Sequence, residues 1–226
     1  MIITIDGPTA SGKSTVAQIL AKREGLMYLS SGWLYRAVAY VLVRDYGYDA
    51  QRLENPLQED VVSCLDMKRL VYVYDIDRGG ILYFDGVDIT PFLKDYTVDR
   101  LVALLSPIPF VRVLISQAQR DRVLQVKNAI VEGRDTGSVV FPDADFSFFL
   151  TASLEVRAAR WQKDQAKRGH AFSLQESMDA VHMRDTKDIE RAHSPLIIPR
   201  NATVIDCSCM SADQVVEQMH ALIYKK

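Results

Sequence analysis

The stretch "MIITID" followed at once by "GPTASGKST" constrains this chain more than any other. An apolar run without alternation, Ile2–Ile5, reads as a buried parallel strand. Behind it, Gly7-x4-Gly12-Lys13-Ser14 fits the pattern G-x-x-x-x-G-K-[ST] without a mismatch. Residues 13–24 then place Val16, Ile19 and Leu20 at helical spacing, with Gly25 as the stop. Strand, glycine-rich loop and helix in that order form a phosphate cradle. The glycines let backbone N–H groups turn inward around an anion, and the helix presents its positive end. A glycine-rich turn with no ligand is the bland alternative, but the flanking strand and helix argue against it. The loop, Gly7, Pro8, Thr9, Ala10, Ser11, Gly12, Lys13, Ser14 and Thr15, is expected to hold a nucleoside triphosphate. Lys13 would bridge the β- and γ-phosphates and the Ser14 hydroxyl would ligate Mg²⁺.

Downstream, "LMYLSSG" reads as a second strand, and "WLYRAVAYVLVRDYG" as a helix closed by Gly47. Residues 70–90, rich in Val, Tyr, Ile and Phe around Arg78-Gly79-Gly80, give a hairpin signal inside an otherwise alternating α/β pattern. Residues 97–127 read as helical with a break at "SPIP" (106–109), because proline removes a donor and restricts its predecessor. "AIVEG", "FSFFLT" and "ATVIDCS" are further strands, and 153–169, 174–191 and the last sixteen residues further helices. The expected fold is α/β: a three-layer P-loop NTPase-like arrangement with a parallel sheet, an inserted β-rich subdomain and a helical lid.

A chain of 226 residues has room for one such domain with an insert. Its net charge of −2 gives no overall attraction to nucleic acid or an acidic membrane, so any anion site must be local. Cys64, Cys207 and Cys209 have no disulfide-framework or zinc spacing, which suits a reducing compartment. With no run of 18 apolar residues and no leader pattern, the expectation is a soluble, cytoplasmic monomer.

A bound triphosphate must be used on something, and three segments supply cations for a second phosphate. "SSGWLYR" offers Ser31, as a helix cap and anion donor, and Arg36; an ordinary cap with a solvated arginine fits equally well. "VEGRDTGSVVFPDA" sets Arg134 and Asp135 just past a strand end, where α/β sheets gather ligands. "MRDTKDIERAHSP" spaces Arg184, Lys187, Asp188 and Arg191 along one helix face, a pattern also common in solvated salt-bridged faces. Beside a P-loop, converging cations would cancel the repulsion between two phosphates and stabilise the group in transfer.

In order and spacing, "TIDGPTASGKST", "SSGWLYRA", "VEGRDTGSVVFPDA", "FLTASLEVRAAR" and "RDTKDIERAHSPL" closely resemble the bacterial-type cytidylate kinases, from residue 2 to the final helix. The resemblance implies ATP-dependent phosphorylation of CMP and dCMP with Mg²⁺, in a single kinase domain. Within it, 36–105 would be the monophosphate-binding insert and 157–172 the lid. It further implies that Ser31, Tyr35 and Arg36 border the monophosphate, that Arg134 and Arg191 hold its phosphate, and that Arg184 and Asp188 meet the sugar. Arg112 and Asp135 would read cytosine, whose O2 and N3 acceptors and amino donor match an arginine plus a carboxylate. Arg157 and Arg160 would fold over the ATP phosphates. Lys13, Arg134 and Arg191 carry catalysis on this reading.

The chain departs from the family pattern at Ser30, where aspartate is usual, at Ala103, where serine is usual, and at Lys94, where arginine is usual. A hydroxyl lost near the base weakens discrimination by ~1–3 kcal/mol. Two rival readings stay open: a P-loop kinase for another monophosphate or small phosphorylated metabolite, and a nucleotide-binding switch with no acceptor.

Overall fold

The structure is a computed structural model and describes residues 1–225. In chain order its elements are β1 (Ile2–Asp6), α1 (Lys13–Glu24), β2 (Met27–Ser30), α2 (Ser31–Tyr46), α3 (Ala50–Leu53), α4 (Gln58–Leu65), β3 (Leu70–Asp75), β4 (Gly79–Phe84), β5 (Val87–Asp88), a 3-10 turn (Thr90–Lys94), α5 (Tyr96–Leu105), α6 (Pro109–Val126), β6 (Ala129–Glu132), a π-helical turn (Thr136–Val140), β7 (Phe146–Thr151), α7 (Leu154–Lys167), α8 (Leu174–Glu190), β8 (Thr203–Asp206) and α9 (Ala212–Ile223). They gather into two units. One takes in residues 1–27 and the described chain from Asn128 onward; the other is Tyr28–Lys127.

The first unit is built on parallel strands in the order β6-β1-β7-β8. Ile3 is paired with Ile130 on one side and Phe146 on the other, and Phe149 with Val204. Ile3, Ile5, Ile130, Val131, Phe148 and Leu150 are all buried, as strands covered on both faces require. β2 starts at this sheet's margin, where the Met27 amide donates to Asn128 O at 3.3 Å. Helix α1 buries Val16, Ala17, Leu20 and Ala21, and Gly25 ends it in the left-handed conformation (φ 65°). Against α1 packs α9, where Glu24 accepts from Tyr224 Oη at 2.8 Å and pairs with His220 Nδ1 at 2.7 Å. That contact accounts for His220 as a structural residue. α7 and α8 pack on each other, and α8 opens on a reciprocal capping box between Ser173 and Glu176.

The second unit closes around α2. Leu34, Val38, Val41 and Leu42 form one apolar stripe that meets Leu53, Val61, Leu70, Leu82, Phe84, Leu105 and Ile115. Trp33 packs against the same core, which fits a packing role. The hairpin falls where expected: β3 pairs antiparallel with β4 from Leu70↔Phe84 to Asp75↔Gly79. Its turn is closed by Asp75, which accepts the Asp77 and Arg78 amides at 2.9 and 2.7 Å. The break at Pro107–Pro109 is a bend of 111° between α5 and α6. The short helix α3 rests on an Asp49 cap that accepts from Arg52 N at 2.8 Å, and α4 buries Val61, Cys64 and Leu65 at helical spacing. Among the described residues no single helix is long and apolar enough to cross a membrane, and the cysteines are free thiols.

Candidate active site

The phosphate loop lies in the first unit between β1 and α1. Gly7 (φ 149°) stands where a Cβ would overlap the Leu150 carbonyl oxygen, so only glycine lets the backbone pass. Gly12 (φ 98°) occupies the cap of α1 and brings no side chain to it, so no side-chain cap bond occupies the helix N-terminus. Ala10 also takes a left-handed conformation (φ 57°), giving the alternation from which an anion nest is made.

Lys13 folds back over this loop. Its Nζ donates to Pro8 O at 2.6 Å and Ser11 Oγ at 3.3 Å, and the residue is only 5% exposed. Burial pushes its pKa down to about 7, helped by the Arg134 charge and opposed by Glu132, Asp6 and Asp185. Beside it, Ser14 Oγ donates to Glu132 Oε1 at 3.2 Å. Glu132 ends β6, the strand next to β1, so the sheet places a carboxylate beside the loop's hydroxyl.

Thr9 is the point where the cations meet. Its amide donates to Asp185 Oδ1 at 2.8 Å, its carbonyl accepts from Arg157 Nη1 at 3.1 Å, and its hydroxyl accepts from Arg134 Nη2 at 3.3 Å. Arg157 is ion-paired to Asp185 and also donates to Ala152 O at 2.9 Å. Arg160 spans Ser11 O at 3.2 Å and Cys207 O at 2.8 Å.

The "GRD" turn follows β6 directly, and Gly133 N donates to Ile5 O at 3.1 Å to start it. Arg134 Nε pairs with Asp188 Oδ2 at 2.9 Å. Burial draws the Arg134 pKa down, but Asp188, Glu132 and Asp185 outweigh it and the net direction is up. Asp188 is its counterpart: burial raises its pKa, and Arg134, Arg191 and Arg184 more than reverse this. Arg191 donates through Nη1 to Asp188 Oδ1 at 3.1 Å and through Nε to Ser194 O at 2.6 Å, and its Nη2 lies 4.0 Å from Asp135. Beneath the turn, Asp6 is fully buried and accepts from Thr136 and Gly137. Burial drives its pKa up against the pull of those donors.

In the second unit the "SSG" segment opens α2. The cap position falls on Ser30, with no side-chain cap bond, and Ser31 is already the first helical residue. The capping expected of Ser31 is therefore corrected. Both serines are buried. Arg36 pairs with Asp99, Nη2 to Oδ1 at 2.6 Å, and donates to Gly32 O at 3.2 Å. Arg112, 4% exposed, donates to Ser106 O at 3.0 Å and stands over the Tyr35 ring at 5.7 Å. Lys94 and Ala103 lie exposed in this unit.

Of the residues expected at the site, Lys13, Ser14, Thr9, Arg134, Asp135, Arg157, Arg160, Asp188 and Arg191 stand together around the loop of the first unit, while Arg184 lies exposed on α8. Arg191 sits just past the end of α8 in extended backbone, so it is off the helical stripe on which the spacing set it. Arg112 and Tyr35 meet in the second unit, and Arg36 is held there by Asp99. Asp6, Glu132, Asp185 and Asp99 were not picked out by the sequence reading. Asp6 and Glu132 carried a usable signal, each being an acid at the end of a strand beside a glycine. Among the described residues no group of three or more His, Cys, Asp or Glu is arranged to hold a metal on its own.

A protein-family model for cytidylate kinase matches residues 3–225. The chain is 37% identical over 224 residues to the cytidylate kinase of Caldanaerobacter subterraneus subsp. tengcongensis, covering 99% of this chain and 94% of that one. It is 37% identical over 226 residues to the cytidylate kinase of Chlamydia pneumoniae, covering 100% and 99%. Among solved structures, the shikimate kinase of Bacteroides thetaiotaomicron superimposes with a TM-score of 0.50 at 11% identity, over 99% of this chain and 98% of that one, a likeness of fold.

Proposed function

Because the chain belongs to the cytidylate kinase family, we propose a division of labour among its residues for transfer of the γ-phosphoryl group of ATP to CMP. The transfer to CMP follows from the family; the residue roles, the metal and the use of dCMP are the proposal.

The donor's phosphates lie in the loop Gly7–Thr15, with Lys13 across the β- and γ-phosphates and the open amides of α1 beneath them. Arg157 and Arg160, already hydrogen-bonded to the loop's carbonyls, border the same phosphates. Arg134 and Arg191 hold the phosphate of CMP. In the second unit Ser31, Tyr35 and Arg36 border that nucleotide, Arg112 faces its base, and Asp135 accepts from the cytosine amino group. Arg184 and Asp188 serve the sugar. Residues 36–105 act as the monophosphate-binding insert and 157–172 as the lid.

No covalent intermediate is required. The two anions are held end to end, and fixed cations offset their repulsion as charge spreads over the transferring group. Mg²⁺ suits the Ser14 hydroxyl and the Glu132 carboxylate, an oxygen pair that leaves room for phosphate and water ligands, and when bound it would neutralise charge on the β- and γ-oxygens.

One observation carries the assignment. Arg134, a cation of the acceptor side, donates to Thr9 of the phosphate loop while paired to Asp188, so cations for two phosphates share one network. ADP release measured over CMP, dCMP, UMP and AMP tests it. CMP and dCMP should give the highest kcat/KM; ADP formation that ignores every acceptor would overturn it.

A further inference from the structure

We propose that Asp185 is a positioning residue for phosphoryl transfer, holding the Thr9 peptide of the phosphate loop and Arg157 of α7 in one geometry. The proposal rests on the kinase reading given above and adds to it a residue with no role there.

The geometry is a closed run of contacts. Asp185 Oδ1 accepts the Thr9 amide at 2.8 Å, and its Oδ2 is ion-paired to Arg157 Nη1. The same Arg157 nitrogen donates to the Thr9 carbonyl at 3.1 Å. Asp185 and Arg157 therefore grip one residue of the loop from its two backbone poles. The third handle, Thr9 Oγ1, goes to Arg134, which returns through Asp188 to α8, the helix that carries Asp185. Asp185 is 6% exposed, and the Arg157 side chain 11%.

That burial makes the loss of either contact costly. Asp185 already spends both oxygens on catalytic neighbours, one on the loop and one on the arginine beside it. With the carboxylate gone, Thr9 N–H is a buried donor without an acceptor, and Arg157 keeps only carbonyl partners. The Thr9 peptide is then free to rotate, taking with it the hydroxyl that receives Arg134. Displacements of this order cost about 100-fold in rate when the reacting groups depend on them.

The test compares wild type with Asp185→Asn, Arg157→Ala and the double variant, by steady-state kinetics and thermal unfolding. Each is assayed with whichever monophosphate the wild type phosphorylates fastest, so an error in the acceptor assignment changes the substrate and leaves the comparison standing. Asparagine keeps the side chain's size but loses the ion pair, and its single carbonyl oxygen cannot accept from both Thr9 N–H and Arg157, so the Thr9 peptide is no longer held from both poles. The expected result for Asp185→Asn is a fall in kcat of about 100-fold with KM for both substrates within a few-fold and a nearly native melting temperature. The double variant should be no slower than the slower single, because both changes break one unit. A kcat within about threefold of wild type would overturn the proposal. So would losses that multiply in the double variant, or an Asp185→Asn chain that fails to fold, which would make Asp185 a structural acid.

Discussion

Thr136 gives both its amide, at 2.9 Å, and its hydroxyl, at 2.7 Å, to one oxygen of Asp6, and Gly137 N–H takes the other oxygen at 2.7 Å. Asp6 ends β1 and is followed by the first glycine of the phosphate loop; Thr136 follows Arg134 and Asp135. One buried carboxyl thus fixes the turn bearing Arg134 to the strand that leads into the glycine-rich loop.

Replacing Asp6 by Ala strands three buried donors at once. The expected cost is about 2–4 kcal/mol of stability, on the scale of buried polar groups left unpaired, read as a shift in urea midpoint. Asn, which keeps two acceptor lone pairs and gains an unwanted N–H pair, should fall between. An Ala variant with the native midpoint would remove Asp6 from this role.

Lys13 supplies a pH dependence. Its pKa of about 7 in the folded chain lies below the ordinary 10.5, because burial disfavours the charged form. Between those values the unfolded chain binds the proton that the folded chain lacks, so this group's contribution to stability rises with pH across that window and is flat below it. Phosphates in the loop reverse the balance by favouring the ammonium. Binding of ATP at pH 8 should therefore take up about one proton, measured by calorimetry in buffers of different ionisation heat. Lys13→Met should abolish the uptake and the transfer together.

Arg191 is tied to Asp188 and to Ser194 O, and stands 4.0 Å from Asp135. Arg191→Ala should leave far-UV circular dichroism unchanged and lower kcat/KM for CMP by about 10²–10³, the range for loss of one preorganised charge donor. Arg191→Lys should recover little, since a single ammonium cannot satisfy three separated acceptors. Near-native turnover in the Ala variant would place the acceptor's phosphate elsewhere.

The strand-loop-helix at the N-terminus was readable because local chemistry specifies it completely: an apolar run, glycines where backbone must turn, and a lysine and serine at fixed spacing. The hairpin at 70–90 and the bend at Pro107–Pro109 were readable for the same reason. The acids were harder. Asp185 is one of several charges in "RDTKDIER", and spacing alone makes such a stripe a solvated face; only the packing that buries Asp185 against Thr9 and Arg157 sets it apart. Asp99 was equally hidden, since its partner Arg36 lies 63 residues away on another helix. The extended backbone at Arg191 also escaped, because Pro195 stops a helix only within a few residues.

Asp135 offers the sharpest test of base choice. It is 5% exposed and lies at the start of the π-helical turn, and in the proposed site its carboxylate would accept from the cytosine amino group. Uracil would set its O4 against the carboxylate, acceptor to acceptor. An amide in its place offers an N–H to O4 while keeping an oxygen for the cytosine amino group. Asp135→Asn should therefore lower kcat/KM for CMP and raise the UMP-to-CMP ratio by about 10–100-fold, the scale of one mismatched buried hydrogen bond. The carboxylate also faces Arg191, so part of the CMP loss should appear with every acceptor; the ratio, taken within one variant, cancels that shared part. Steady-state kinetics with both monophosphates decide it. A ratio equal to the wild type's would mean that the base is read by other groups, with Arg112 the first to replace.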